Sequence, residues 1–334
     1  MHHSPANDFE ISEYILKNNN GISVKILSLG GIIQEFNVPN RNGVFENIVL
    51  SYENPKDYLK DEFFLGALIG RFANRISKSK FQIDGKSYKL DKNEGENHLH
   101  GGLIGFHNVN WTIDINNSIE NTCLTLKLHS PNDESGYPGN LDISVKYSLS
   151  NNNILDIEFF AKSDMDTIFN PTSHSYFNLN PKSNTIIDHV LKLHSKKFLP
   201  IHDNFIPRGE FKTTKATPFD FEKGKKIGHD LKKNDEQLNI AKGYDHCFVL
   251  NSESNVAAEL SELESGRLIK IFTDQPGIQL YSGNHLNSKF CKNQGLCLET
   301  QHFPDSPNID KFPSTLLKAH DKFYTKTSYH FNNL

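Results

Sequence analysis

Period-two alternation, cut at short intervals by turn signals, is the feature that most constrains this chain. Leu141, Ile143, Val145, Tyr147 and Leu149 occupy every second position, and the run stops at Asn151-Asn152-Asn153 before residues 154–160 resume as a strand. Leu124, Leu126 and Leu128 alternate in the same way, as do Phe323, Thr325, Thr327, Tyr329 and Phe331 near the C-terminus. Phe81, Ile83, Tyr88 and Leu90 flank Asp84-Gly85, a hairpin signature, because a tight two-residue turn needs positive φ. Residues 18–21 and Asn42-Gly43 read as further turns, whereas helical periodicity is weak and best at Pro55–Lys60 and residues 228–241. Many strands without helical crossovers predict an all-β protein built as a large antiparallel β-sandwich with a few short helices.

Composition agrees where it bears on this. The chain has 37 Asn and 24 Phe among 334 residues. Asn disfavours helix interiors and favours turns, while Phe suits pleated, half-buried surfaces. Length alone would allow about two domains, but no linker, low-complexity segment or repeat divides the chain, and 1–334 is read as a single β domain.

Charge and missing motifs exclude several classes. Lys+Arg (36) and Asp+Glu (40) leave a net charge of −4, with no basic-aromatic stripe, so neither nucleic acid nor an anionic membrane is an expected partner. No apolar run reaches the ~18 residues of a membrane span. GxxxxGK[ST], GxGxxG and GxSxG are all absent, which removes most nucleotide-dependent and serine-hydrolase chemistry. Cys123, Cys247, Cys291 and Cys297 form no CxxC and read as buried free thiols, not as a disulfide framework or zinc site. The N-terminal MHHSPANDFE has no basic or apolar leader segment, so the cytoplasm is the expected compartment, with Met1-His2-His3 open to reading as an added remnant.

Five segments interrupt the alternation with polar or ionisable groups. Residues 70–76 (GRFANRI) carry Arg71, Asn74 and Arg75, planar donors suited to hydroxyls or carboxylates, or else surface charges near a strand end. Residues 97–106 (NHLHGGLIGF) hold His98 and His100, two imidazoles on one strand face, beside glycines that permit close backbone approach. No third metal ligand is spaced nearby. His174 in residues 170–179 (NPTSHSYFNL) is flanked by hydroxyls and Tyr176, the setting of an oriented proton donor or of a satisfied core histidine. Asp245 precedes an apolar run, as a loop functional group or a strand-start cap. Glu299 follows Gly295-Leu296-Cys297-Leu298 and is expected at the end of an apolar strand, where partial desolvation raises its basicity, or as an edge charge.

Together and in this order, these segments resemble the aldose 1-epimerase (galactose mutarotase) family. The likeness also takes in residues 136–140 (GYPGN), Leu199-Pro200, residues 243–250 (GYDHCFVL), residues 277–284 (GIQLYSGN) and residues 298–308, running from about Gly21 to the C-terminus. One departure is Ser173, where the family often has Asn. The resemblance implies a β "supersandwich" and an isomerase interconverting the α and β anomers of free aldohexoses such as galactose and glucose. It further implies His174 as general acid, Glu299 as general base, His100 near the sugar ring oxygen, and Asn74, Arg75, Asp245 and Gln279 holding hydroxyls. Tyr176 is then a wall or a donor; His98, Arg71 and His302 stay outside the site. A small aldose is the expected partner, no cofactor or metal is needed, and the expected assembly is a monomer or weak homodimer.

The chemistry asks for these residue types. Anomer exchange opens a hemiacetal: a base takes the C1 hydroxyl proton while an acid protonates the ring oxygen, and each contributes roughly 10²–10⁴-fold. An ionised Glu and a protonated His suit these tasks near neutral pH, each supporting the other's charge. Two other readings stay open: a hexose-6-phosphate 1-epimerase, which would want extra Arg or Lys at the mouth, and a non-catalytic sugar-binding or sensor protein. A metal hydrolase on His98 and His100 ranks below both.

Overall fold

A computed structural model describes residues 10–117, 121–251 and 256–334. Met1-His2-His3 and most of the segment read for a leader lie outside them.

Three large antiparallel sheets carry the fold. The first joins Glu13–Lys17, Ser23–Leu27, Ile33–Pro39 and Phe45–Asn47. The second has nine strands, with Asn121–Ser130, Leu141–Ser150, Ile154–Ser163 and Lys322–Asn333 side by side in its middle and Arg267–Thr273 following. The alternation in the sequence reads directly onto it: Leu141, Ile143, Val145 and Tyr147 are buried and pair across the ladder with Ser163, Ala161, Phe159 and Ile157. The third sheet orders Tyr176–Phe177, Leu296–Gln301, Gly277–Tyr281, Asp245–Leu250, Ser195–Phe198 and Lys212–Thr213. A two-sided covering explains why Leu296–Gln301 is buried at every position and shows no alternation.

The Asn and Phe excess finds its work here. Asn18 Nδ2 donates to Ser150 O and Asn153 Oδ1, and Asn20 Nδ2 donates to Asn151 O and Asn153 Oδ1, so two Asn-rich turns far apart in sequence are pinned together. Phe198 and Phe219 stack with centroids 4.1 Å apart, and Phe169 meets Phe323 edge-on at 4.8 Å. Each ring fully withdrawn from water contributes roughly 1.5–3 kcal/mol.

Helices are few and short, as expected; of the two candidates, Pro55–Lys60 is found at the bounds read and 228–241 is shorter. Pro55–Lys60 is a 3₁₀ helix capped by the Asn54 side chain. Within 228–241 only Glu236–Ala241 is α-helical, starting at the Asp235 cap. The buried Asp230 carboxylate gathers Lys225 and Lys233 and holds the preceding residues in turns. All four cysteines are free; Cys247 and Cys297 are buried as expected, while Cys291 is exposed on a turn. Among the described residues no helix is long and apolar enough to cross a membrane.

Candidate active site

The third sheet presents one face to a cavity of about 290 Å³. In its register Gln279 pairs with Glu299, Tyr281 with both Cys297 and Asp245, and Cys247 with Gln279. Directly opposed residues project to the same face, so Asp245, Gln279, Tyr281, Cys297 and Glu299 share it. Seven of the eight residues singled out from the sequence line the cavity: Asn74, Arg75, His100, His174, Tyr176, Asp245 and Glu299. Gln279, on the same face and buried, donates from Nε2 to Asp245 Oδ1 at 2.6 Å, and its Oε1 has no partner. His98, Arg71 and His302 stay outside, His98 bonded to Asp91 O and Tyr137 and Arg71 to the carbonyls of Ser130, Pro131, Pro138 and Gly139.

His174 sits between the short strands Thr172–Ser173 and Tyr176–Phe177, its backbone clamped by His174 N to Ala67 O (2.9 Å) and Gly66 N to His174 O (3.1 Å). Its Nε2 lies 3.7 Å from Glu299 Oε1, and its Nδ1 lies 3.5 Å from Cys297 Sγ. Glu299 is the fourth residue of Leu296–Gln301, in mid-strand, not at a strand end as expected. The strand is covered on both faces and so continues past a charge. Glu299 Oε2 has no protein partner. Burial pulls the His174 imidazole down to about 4, partly offset by a backbone hydrogen bond. Burial, with the Asp245 charge, pushes the Glu299 carboxyl well above the usual range against the Arg75 guanidinium. The ion pair expected from sequence therefore meets a desolvation force that favours its neutral form.

Asn74 and His100 face each other past the end of the two-residue ladder Arg75–Ile76 with His98–Leu99. Both take positive φ (68° and 52°), a conformation that Asn and His tolerate better than most residues. His100 N donates to Asn74 O and Asn74 N donates to His100 Nδ1, both at 3.2 Å. The second bond places the proton of the neutral ring on Nε2. Gly101 continues the turn at φ 89°, where a Cβ would lie 1.8 Å from Gly70 O.

His100, His174 and Glu299 have potential ligand atoms within 4.8 Å of one another. They do not fit a metal ion: His100 Nδ1 is engaged as an acceptor and its Nε2 carries a proton, so neither nitrogen offers a free lone pair.

Tyr176 forms a wall, because its hydroxyl donates to Phe63 O at 3.0 Å. Several lining residues had not been singled out: Phe64, whose ring lies 4.7 Å from His100, Tyr281, and at the rim His285 and Asn287. Tyr281 stands two residues from Gln279 on one strand, a spacing that could have flagged it. Phe64 and His285 lie on loops that carry no periodic signal.

A buried carboxylate and imidazole at the floor of a small cavity, ringed by amide, guanidinium and carboxylate groups, define an acid–base site scaled to a small polar molecule. Comparison with known proteins names the family: residues 12–330 match the aldose 1-epimerase family model, and the chain belongs to that family. It is 37% identical over 323 residues to the galactose mutarotase of Sus scrofa, covering 93% of this chain and 91% of the relative. It is 33% identical to the aldose 1-epimerase of Escherichia coli K12, covering 95% and 94%. The crystal structure of galactose 1-epimerase from Lactobacillus acidophilus superposes with a TM-score of 0.89 at 31% identity, covering 99% and 98%.

Proposed function

We propose that this protein is an aldose 1-epimerase, interconverting the α and β anomers of free aldohexoses such as galactose and glucose. The observation that carries the reading is the His174–Glu299 pair, 3.7 Å apart on the cavity floor, in a chain of this family.

In the proposed reaction Glu299 takes the proton of the C1 hydroxyl and His174 delivers one to the ring oxygen. The ring opens, C1 turns about its bond to C2, and closure runs with roles reversed. The two groups share one proton across the cycle, so neither needs net exchange with water. Asn74 suits a hydroxyl donor, because its Oδ1 accepts from Arg75 N at 2.9 Å and its Nδ2 remains to face substrate. His100, with Nε2 protonated, serves as a donor to a sugar oxygen, and Asp245 as an acceptor. Gln279, implied by resemblance as a sugar contact, also holds Asp245 through Nε2, while its Oε1 has no protein partner. The whole chain works as one domain in this reading, since the base comes from the third sheet, the acid from the link leading into that sheet's Tyr176–Phe177 strand, and Asn74, Arg75 and His100 from the N-terminal third.

A hexose 6-phosphate is the less supported substrate. Among the described residues lining the cavity Arg75 is the one Lys or Arg, against Glu62, Asp245 and Glu299. Polarimetry on freshly dissolved α-D-galactose and α-D-glucose, with glucose 6-phosphate alongside, tests the reading. Accelerated decay to the equilibrium rotation with the free sugars is expected, and no acceleration at any pH would end the proposal.

A further inference from the structure

Arg75 does not enter the cavity as a free cation. Its Nε donates to Glu94 Oε2 at 2.7 Å and its Nη2 to Glu94 Oε1 at 2.6 Å, a bidentate pair. Phe205 lies against the guanidinium with its ring centroid 4.7 Å from Cζ. The Arg75 side chain is only 12% exposed and that of Glu94 35%. Glu94 is itself mounted on a closed turn: Glu94 N donates to Asn97 O and Asn97 N to Glu94 O, while Asn93 bonds Leu99 in both directions. Leu99 is the ladder partner of Arg75, so clamp and clamped residue share one scaffold. Three of the five guanidinium N–H groups remain for substrate, in a plane set by Glu94 and Phe205.

We propose that Glu94 is a positioning and specificity-determining residue: its carboxylate aims Arg75 at a neutral sugar and cancels the cation that would otherwise admit an anionic aldose, a hexuronate. The inference rests on the reading of this cavity as an aldose site. Both halves follow from the pair's geometry. A bidentate fork holds the donor plane that a single hydrogen bond would leave free to rotate. Arg75 is the one Lys or Arg among the described lining residues and is already paired, so a substrate carboxylate would meet Glu62 and Asp245 with no uncompensated Lys or Arg to receive it. Burial raises the Asp245 carboxyl and the Arg75 charge opposes that rise, with the Glu94 charge a smaller contribution upward.

The test compares galactose with galacturonate by polarimetry in the full chain and in Glu94→Gln. Galactose KM is expected to rise in the variant with kcat near the parent value. The galacturonate-to-galactose ratio of kcat/KM is expected to rise about two- to fivefold, the scale of a partly exposed charge pair. An unchanged ratio overturns the specificity claim, and an unchanged galactose KM overturns the positioning claim. Glu94→Asp keeps the charge and shortens the fork: its galactose KM should rise while the ratio stays at the parent value. A ratio that rises in this variant as well would show that charge is not the cause, and that result overturns the specificity claim even if Glu94→Gln does not fold. Parent protein inactive on galactose would instead overturn the aldose reading itself.

Discussion

His174 Nε2 stands 3.7 Å from Glu299 Oε1, and the two side chains are 6% and 2% exposed. Little of either group is exposed to solvent, although both line the cavity. Burial disfavours the charged form of each, drawing His174 down to about 4 and Glu299 well above its ordinary range. With the His174 value below the Glu299 value, the pair carries one proton across a wide span of pH, and the proton's two positions differ by a transfer within the site. In the proposed reaction the imidazolium–carboxylate form is the one that opens the ring, and it is reached by that transfer.

The pH dependence follows from this order. Below about 4 a second proton settles on His174 while Glu299 keeps its own, and the base is lost. As pH rises through the elevated Glu299 value, the last proton leaves and the acid is lost. The kcat/KM profile should be a bell whose acid limb lies near 4, well below an ordinary histidine, the two limbs belonging to the pair. An acid limb near 6.5 would show that His174 titrates as an exposed imidazole, contrary to its burial.

Removing either partner should cost the chemistry more than the binding. Glu299→Gln and His174→Ala are each expected to lower kcat at least ~100-fold, the scale of one acid or base, with galactose KM changed far less. Stopped-flow or NMR exchange measurements of anomer conversion read this directly. Near-normal turnover in Glu299→Gln would mean that another group takes the C1 proton.

Gln279 separates contact from support. Its Nε2 holds Asp245 Oδ1 at 2.6 Å from a buried position outside the cavity lining. In Gln279→Leu the Asp245 carboxylate loses that donor, and galactose KM should rise about fivefold or more, the cost of an unpaired polar group of ~1 kcal/mol upward, with kcat within about twofold. A fall in kcat at constant KM would place Gln279 on the reacting atoms.

Gly101 carries a stability prediction. At φ 89°, with a would-be Cβ 1.8 Å from Gly70 O, no side chain fits without moving the backbone that presents His100. Gly101→Ala should destabilise the fold by about 3 kcal/mol or more, seen as a lower urea midpoint, and should weaken activity in the protein that remains folded. An unchanged midpoint would show that the turn relaxes freely.

How much of this was legible beforehand depended on the range of the interaction involved. Alternation in 141–149 and 323–331 foretold strands that do run side by side with Ile154–Ser163, because face selection in a strand is local and has period two. Seven of the eight chosen site residues converge because they belong to segments recognisable as a set. Three features resisted. Glu299 was placed at a strand end, since a strand covered on both faces shows no alternation to mark its extent. Residues 228–241 looked more helical than they are, since the buried Asp230 ties down lysines that spacing alone would lay along a helix. Glu94 carried no signal, being 19 residues from the arginine it clamps.

The sequence by itself determined the class of fold and, through its resemblance to one family, which residues to propose as acid, base and sugar contacts, because strand periodicity, turn chemistry and local motifs are properties of short stretches. Only the tertiary structure decided that Gln279 bonds Asp245, that Arg75 is paired with Glu94, and that His174 and Glu299 lie buried 3.7 Å apart. Those outcomes depend on distance and desolvation, and both are set when sheets built from distant segments close over a common cavity.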